Sequence, residues 1–144
     1  MERRHILCDR NKCTGCMICE FACSAFKEGR FDLDLSRIRV LRATPTMLDV
    51  VACFSCASRP CVKECPRGAL RVDEATQTLA LDKARCAGCG WCLEGCPFGA
   101  IGMDESTKTI VVCDLCQGQD QPQCIRFCPQ QALSLHVSAV APGH

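Results

Sequence analysis

Thiolate chemistry dominates this chain, and the spacing of the cysteines indicates its purpose. Sixteen of the 17 cysteines fall into four quartets: Cys13, Cys16, Cys19 and Cys23; Cys53, Cys56, Cys61 and Cys65; Cys86, Cys89, Cys92 and Cys96; and Cys113, Cys116, Cys124 and Cys128. The first and third follow C-x2-C-x2-C-x3-C, the run in which closely spaced thiolates wrap one 4Fe-4S cluster while the fourth cysteine reaches a second. The second and fourth lengthen one gap, to C-x2-C-x4-C-x3-C and C-x2-C-x7-C-x3-C, and keep the ending. Proline follows three of the four endings, as Cys65-Pro66, Cys96-Pro97 and Cys128-Pro129.

Two other uses of so much cysteine fit less well. A secreted disulfide scaffold sits behind a signal peptide, whereas the chain begins Met-Glu-Arg-Arg-His-Ile-Leu-Cys-Asp with no apolar signal core. Zinc takes four ligands in a tetrahedron, usually from two well-separated C-x2-C knuckles. Here three ligands fall within one compact loop, which suits three corners of a cubane. A zinc-binding structural module stands as the alternative of a different class; the expectation is four 4Fe-4S clusters.

Composition agrees with an interior built around cofactors. At 144 residues with 5% aromatic content and no tyrosine, the chain has few large side chains to bury. Metal ligation would then stabilise the fold directly, and the metal-free chain is expected to be largely disordered. The formal charge is +1; four clusters, each about −2 with its thiolates, bring the loaded protein to about −7. The 17 Lys and Arg therefore read as cluster-compensating and solvated charge rather than a nucleic-acid footprint. Arg37, Arg39 and Arg42 form the local basic run, on a strand-like segment. No apolar stretch approaches a membrane span. Neither a Ser-His-Asp set, paired carboxylates, a P-loop nor a GxGxxG cradle is present, so no catalytic site is assigned.

The elements that must hold the thiolates repeat as well. Pro-x-x-Ala-Leu/Ile follows three quartets, at Pro66 to Leu70, Pro97 to Ile101 and Pro129 to Leu133. The proline stops the short helix that carries the fourth cysteine and turns the chain toward a strand. Alternating segments Leu70 to Glu74 with Thr78 to Asp82, and Ile101 to Asp104 with Thr109 to Val112, predict hairpins turning at Asp73–Gln77 and Asp104–Lys108. The first quartet is followed by Ser24, so its helix is expected to run on to a Gly29 C-cap. Quartets two and three make one bicluster unit and quartets one and four another. The fold class is thus α+β: two pseudo-symmetric bicluster ferredoxin-like units of short helices and β-hairpins around four clusters. The 144 residues read as one compact domain: an outer half (1–28 plus 108–137), an inner half (52–107), a crossover hairpin (29–51) and a flexible tail (138–144). Arg37 to Arg42 and Met47 to Val51 are the crossover strands, with Thr44-Pro45-Thr46 between them.

These motifs, Cys13-Thr-Gly-Cys16-Met-Ile-Cys19-Glu-Phe-Ala-Cys23, Cys86-Ala-Gly-Cys89-Gly-Trp-Cys92 and Cys113-Asp-Leu-Cys116 above all, resemble the four-cluster, DMSO-reductase-type ferredoxin subunits over roughly Ile6 to Leu135. Such subunits serve molybdenum and tungsten pterin oxidoreductases, formate dehydrogenases, hydrogenases and carbon monoxide dehydrogenase. The chain looks closest to the small iron-sulfur subunits that accompany tungsten aldehyde oxidoreductases and related aromatic-metabolism enzymes. The resemblance implies a ligand swap: one cluster on Cys13, Cys16, Cys19 and Cys128; a second on Cys23, Cys113, Cys116 and Cys124; a third on Cys53, Cys56, Cys61 and Cys96; and a fourth on Cys65, Cys86, Cys89 and Cys92. Consistent with it, a cysteine three residues beyond its triplet sits on a helical turn leading away from that loop.

The function so implied is a cytoplasmic electron-transfer subunit that relays single electrons between a tungsten- or molybdenum-pterin subunit of aldehyde oxidoreductase type and an FAD/NAD-binding flavin subunit or a soluble ferredoxin. The alternative partner set is a hydrogenase, formate hydrogenlyase or carbon monoxide dehydrogenase. Neither nucleic acid nor a direct membrane span is expected, and hetero-oligomers joined head to tail would string into filaments. Cys8, the odd cysteine, reads as a small thiol packed in a starting strand. Trp91 is expected to pack over its cluster and exclude water. His5, His136 and His144 carry no ligand role. The polar segment Gln117 to Gln123 reads as a solvated loop near its cluster, with partner docking as the sharper alternative. Amides in the loops of Gly15, Gly88 and Gly90 are the candidate donors to sulfur.

Overall fold

Proline sets the rhythm of the backbone. A computed structural model of the chain describes residues 3–138. Strand β1 (Arg3–Cys8) leads into the first cysteine loop and helix α1 (Ile18–Glu28); a 3-10 turn (Leu33–Leu35) and the strands β2 (Arg39–Thr44) and β3 (Met47–Val51) follow. The chain continues through α2 (Pro60–Glu64), β4 (Leu70–Val72), β5 (Leu79–Leu81), α3 (Trp91–Gly95), β6 (Gly102–Asp104), β7 (Thr109–Val111), α4 (Gln123–Phe127) and β8 (Leu133–Ser138). The strands pair as four two-stranded antiparallel sheets, β1 with β8, β2 with β3, β4 with β5 and β6 with β7. Short helices and small hairpins are the α+β architecture expected.

A residue before proline is pushed out of the helical region into extended backbone. Cys65, Cys96 and Cys128 obey this, with ψ of 109°, 114° and 112°, and α2, α3 and α4 each end after five residues. Cys23 lacks the proline, and α1 runs 11 residues to Gly29, whose φ of 74° lets its N–H reach the Ala25 carbonyl at 2.9 Å. The two central hairpins turn where predicted. Asp73 Oδ1 accepts from the N–H groups of Ala75 and Thr76, and Asp104 Oδ1 accepts from that of Ser106; Gln77 and Lys108 take the left-handed position (φ 59° and 57°).

Aliphatic side chains and thiols share the interior. Ile6, Ile38, Val50, Ala52 and Leu133 pack with Cys19, Cys23 and Cys124, while Leu70, Leu79, Ile101, Ile110 and Val112 pack with Cys61 and Cys92. Each fully buried Leu or Ile is worth roughly 1.5–3 kcal/mol. Helix α1 lies against α4, and α2 against α3. Two boundaries differ from expectation. β8 extends through Ser138, which pairs with Arg3, because the N-terminal strand offers it a partner; residues 139–144 of the expected tail lie outside the described residues. Arg37 precedes β2 instead of opening it and is buried (8% exposed). No helix among the described residues is long and apolar enough to cross a membrane.

Candidate cluster-binding sites

The Cys-Pro-x-x-Ala segments each build the same small cradle. After Cys65, Cys96 and Cys128 the chain turns so that the third residue on (Gly68, Gly99, Gln131; φ 61°, 65°, 51°) donates its N–H to the cysteine carbonyl at 3.2–3.4 Å. The following alanine N–H then points at the sulfur: Ala69 to Cys65 Sγ at 3.3 Å, Ala100 to Cys96 Sγ and Ala132 to Cys128 Sγ, both at 3.4 Å. Hydrogen bonds to a thiolate favour its charged form. At Cys65 burial raises the thiol pKa, but the N–H groups of Ala69, Arg67, Leu70 and Gly68 outweigh it and hold the group below its ordinary value. Cys23, without the proline, is served from a distance by the Arg37 N–H at 3.2 Å. Leu115 and Gln123 N–H groups reach Cys113 and Cys116 Sγ at 3.4 Å.

A second local device precedes the first and third quartets. Asp9 stands four residues before Cys13, and Asp82 four before Cys86. Each carboxylate accepts an N–H two residues on, from Asn11 and Ala84 at 3.0 Å, and each Asp carbonyl accepts from the cysteine N–H at 3.1 and 3.2 Å. The Asp N–H groups in turn bond the carbonyls of Ala132 (2.7 Å) and Ala69 (2.8 Å). Those are the alanines whose N–H groups serve Cys128 and Cys65, so the tie brings the Cys13 loop beside Cys128 and the Cys86 loop beside Cys65. Sequence reasoning missed both aspartates, although the shared Asp-x3-Cys spacing was there to be read.

Three cavities are lined by four thiols each. Cys13, Cys16, Cys19 and Cys128 line one; Cys23, Cys113, Cys116 and Cys124 a second; Cys53, Cys56, Cys61 and Cys96 a third. In every case three thiols come from one cysteine run and the fourth from another quartet: Cys96 and Cys128 cap α3 and α4, while Cys23 lies within α1. Among the remaining four, Cys92 lies within electrostatic reach of Cys65 and Cys86. Among the described residues no three His, Cys, Asp or Glu side chains converge as a single-ion site. Four thiols to a cavity, three of them from one compact run, form a donor set that suits the corners of a 4Fe-4S cluster.

Electrostatics links these sites into a row. Burial pushes the Cys19 thiol up to about 12, with Glu20 and then Cys16 adding to it. Burial likewise raises Cys61 and Cys92 to about 11, and Cys113 and Cys124 further. Cys124 of the second cavity feels Cys19 of the first, and Cys113 of the second feels Cys53 of the third. Helix α2 carries Cys61 and ends at Cys65 while α3 carries Cys92 and ends at Cys96, so their packing sets the third cavity beside the Cys65 group. Cys16 and Cys89, at the two ends of this row, are exposed.

The surroundings correct some expectations. Trp91 is 55% exposed at the start of α3, because the left-handed Gly90 before it turns that first helical side chain outward, as Met17 (φ 68°) does for exposed Ile18 in α1. Arg37 belongs to the site: it lines the second cavity, its N–H donates to Cys23 Sγ, and its guanidinium pairs with Glu28 at 2.7 Å. Gly15 and Gly88 serve close approach, since a Cβ on Gly15 would lie 2.5 Å from Arg42 Nη2 and one on Gly88 2.2 Å from the Lys108 carbonyl oxygen. Cys8 is half-buried against the core, and its thiol is pushed up to about 12 by burial, then by Cys13 and Asp49. His5 is buried in an aromatic stack with Phe54 (4.2 Å) and His136 (5.0 Å); His144 lies outside the described residues. Gln117–Gln121 is exposed, as a solvated loop should be, with Gln117 Nε2 donating to Asp73 Oδ2 at 3.4 Å and Gln123 buried behind it.

Comparison with known proteins agrees with this chemistry. A family model described as a 4Fe-4S dicluster domain matches residues 46–138. The polyferredoxin-like subunit of aliphatic sulfonate oxidoreductase from Pyrococcus furiosus is 38% identical over 127 residues, covering 88% of this chain and 72% of its own length. The thiosulfate reductase electron transfer subunit of Salmonella typhi is 32% identical over 143 residues, covering 89% and 72%. Among solved structures, the active site complex BamBC of benzoyl coenzyme A reductase superposes with a TM-score of 0.60 at 25% identity, over 97% of this chain and 79% of the other. The match spans well over half the sequence, and the chain belongs to the 4Fe-4S dicluster domain family, as an iron-sulfur subunit of the electron-transfer type.

Proposed function

We propose that this chain is a four-cluster electron wire between a tungsten- or molybdenum-pterin subunit that oxidises an aldehyde and a flavin subunit, binding FAD or NAD, or a soluble ferredoxin. The observation that carries the electron-wire reading is the composition of three cavities, each lined by four thiols drawn from two quartets, and relatives named as oxidoreductase subunits support a catalytic partner. Cys13, Cys16, Cys19 and Cys128 hold the first cluster; Cys23, Cys113, Cys116 and Cys124 the second; Cys53, Cys56, Cys61 and Cys96 the third; Cys65, Cys86, Cys89 and Cys92 the fourth. A bound 4Fe-4S cluster supplies a one-electron carrier whose potential follows hydrogen bonds to sulfur, local charge and solvent exposure.

The chain's own residues do the rest. Ala69, Ala100 and Ala132 aim N–H groups at ligating sulfur. Buried Leu70, Ile101 and Leu133, each next after one of those alanines, exclude water. Lys27 with Asp114 and Arg37 with Glu28 neutralise one another beside the second site. Exposed Cys16 and Cys89 mark the two ends at which partners exchange electrons. The outer half, 1–28 with 108–137, and the inner half, 52–107, each hold two clusters, and the complex works in the cytoplasm. No catalytic step is assigned to the chain itself.

Anaerobic purification of the complex through a tag on this chain tests the reading. Tungsten or molybdenum is expected to co-purify, and an aldehyde substrate to reduce the iron-sulfur chromophore. Full iron with neither metal would overturn the pterin partner and transfer the weight to a hydrogenase or carbon monoxide dehydrogenase system.

A further inference from the structure

The row of sites is not electrically uniform. No charged side chain lines the first cavity. Lys27, Arg37 and Asp114 line the second, where Lys27 pairs with Asp114 at 2.8 Å and Arg37 with Glu28 at 2.7 Å, leaving the surroundings close to neutral. The third differs, because Arg59 lines it without a carboxylate in the lining. Arg59 sits in a left-handed turn (φ 47°) directly ahead of Pro60 and Cys61, and its Nη2 donates to the Gln77 carbonyl, an acceptor with no net charge. Arg59 acts on Cys53, Cys56 and Cys61 alike.

A second cation reaches the same site from the other chain end. Arg3 is 7% exposed and its Nη1 donates to the Ser55 carbonyl at 3.1 Å, within the loop between Cys53 and Cys56. Ser55 Oγ donates back to the Arg4 carbonyl at 2.7 Å, and His5 stacks on Phe54. Strand β1 is thereby latched onto the third-site loop, and the Arg3 guanidinium bears on Cys56. The carboxylates that bear most strongly on thiols elsewhere, Glu20 on Cys19 and Asp114 on Cys113 and Cys116, have no counterpart among the groups acting most strongly on Cys53, Cys56 and Cys61.

We infer that Arg3 and Arg59 are tuning residues which raise the potential of the site of Cys53, Cys56, Cys61 and Cys96 above those of the first and second sites, so that an electron rests there in preference to either. This builds on the four-cluster reading of the proposed function. Positive charge held at one buried and one part-buried guanidinium favours one added negative charge, and guanidinium stays protonated at every working pH. The step is a single-electron uptake from the donor subunit, or from dithionite in the test, with no bond made or broken and no proton required. A third site poised above the first two works as a one-electron store between two partners of different turnover.

The test is an EPR-monitored redox titration with dithionite on the loaded protein, comparing wild type with Arg59→Gln, Arg59→Lys and Arg3→Gln, each with iron content confirmed near sixteen per chain. Cys56→Ser identifies the third-site signal, and Cys16→Ser and Cys116→Ser those of the first and second sites. In wild type that signal is expected to appear before those of the first and second sites. Arg59→Gln and Arg3→Gln should each weaken its reduction about tenfold, equivalent to ~59 mV for one electron, while Arg59→Lys retains it and the other signals stay in place. A purely structural role would lower iron or broaden every signal rather than shift one midpoint. If the third-site signal does not precede those of the first and second sites in wild type, or if neither glutamine variant moves it, the inference is overturned. A protein with far fewer than sixteen iron would instead defeat the four-cluster reading itself.

Discussion

Gly88 and Gly90 flank Cys89 and share the left-handed backbone (φ 69° and 78°), yet their surroundings differ. A Cβ at Gly90 meets nothing within 4 Å, whereas one at Gly88 would lie 2.2 Å from the Lys108 carbonyl oxygen and 3.0 Å from its carbon. Both alanine variants carry the left-handed penalty of about 1–2 kcal/mol. Gly88→Ala adds displacement of the β6–β7 turn backbone, about 1–3 kcal/mol by analogy with overpacking. The expected costs are therefore ~1–2 kcal/mol for Gly90→Ala and ~2–5 kcal/mol for Gly88→Ala. At roughly 4 °C per kcal/mol for a chain of this size, the two midpoints should differ by about 4–12 °C. The assay is anaerobic thermal bleaching of the iron-sulfur chromophore at one fixed scan rate, because such unfolding is kinetically controlled. Iron analysis accompanies it, since a displaced Cys86–Cys89 loop should release one cluster and leave about twelve iron per chain. Equal loss in the two variants, or greater loss in Gly90→Ala, would refute the claim that Lys108 packs on this loop.

Other consequences are as direct. Glu28→Gln strands the buried Arg37 charge and should cost about 3 kcal/mol, whereas Asp49→Asn, which breaks the exposed Arg10 pair, should cost under about 1 kcal/mol in the same melt; equal effects would contradict the burial assigned to Arg37. Trp91→Ala should leave iron content unchanged and stability within about 0.5 kcal/mol, and loss of the fourth cluster in that variant would show that Trp91 covers it after all. The Cys8 thiol, held near 12 by burial and its neighbours, should resist iodoacetamide at pH 8, where about one part in ten thousand is thiolate; rapid labelling of the loaded protein by mass spectrometry would argue against this. Chelating all iron should abolish the near-UV signal, and its survival would show a core that stands without metal.

The parts of this fold that were legible are those encoded within a few residues. Proline after Cys65, Cys96 and Cys128 dictates extended backbone at the cysteine, and its absence after Cys23 lengthens α1 to Gly29, both visible from one tetrapeptide. The Asp73 and Asp104 turns are equally local. What escaped depends on distant partners. β8 runs to Ser138 because β1 lies alongside it, a pairing across nearly the whole chain. Arg37 looked like one more surface cation, and only the fold reveals Glu28 opposite it and Cys23 on its N–H. The Trp91 expectation treated proximity in sequence to Cys89 and Cys92 as proximity in space, but the first side chain of a helix behind a left-handed residue turns away from its loop. The Asp9 and Asp82 ties were a periodic signal hidden by the louder period of the cysteines.

The central claim is that the cavities hold four iron-sulfur clusters. Iron and acid-labile sulfide analysis of the anaerobically purified protein tests it most directly. About sixteen of each per chain is the predicted result; about eight of each, or zinc without sulfide, would contradict it.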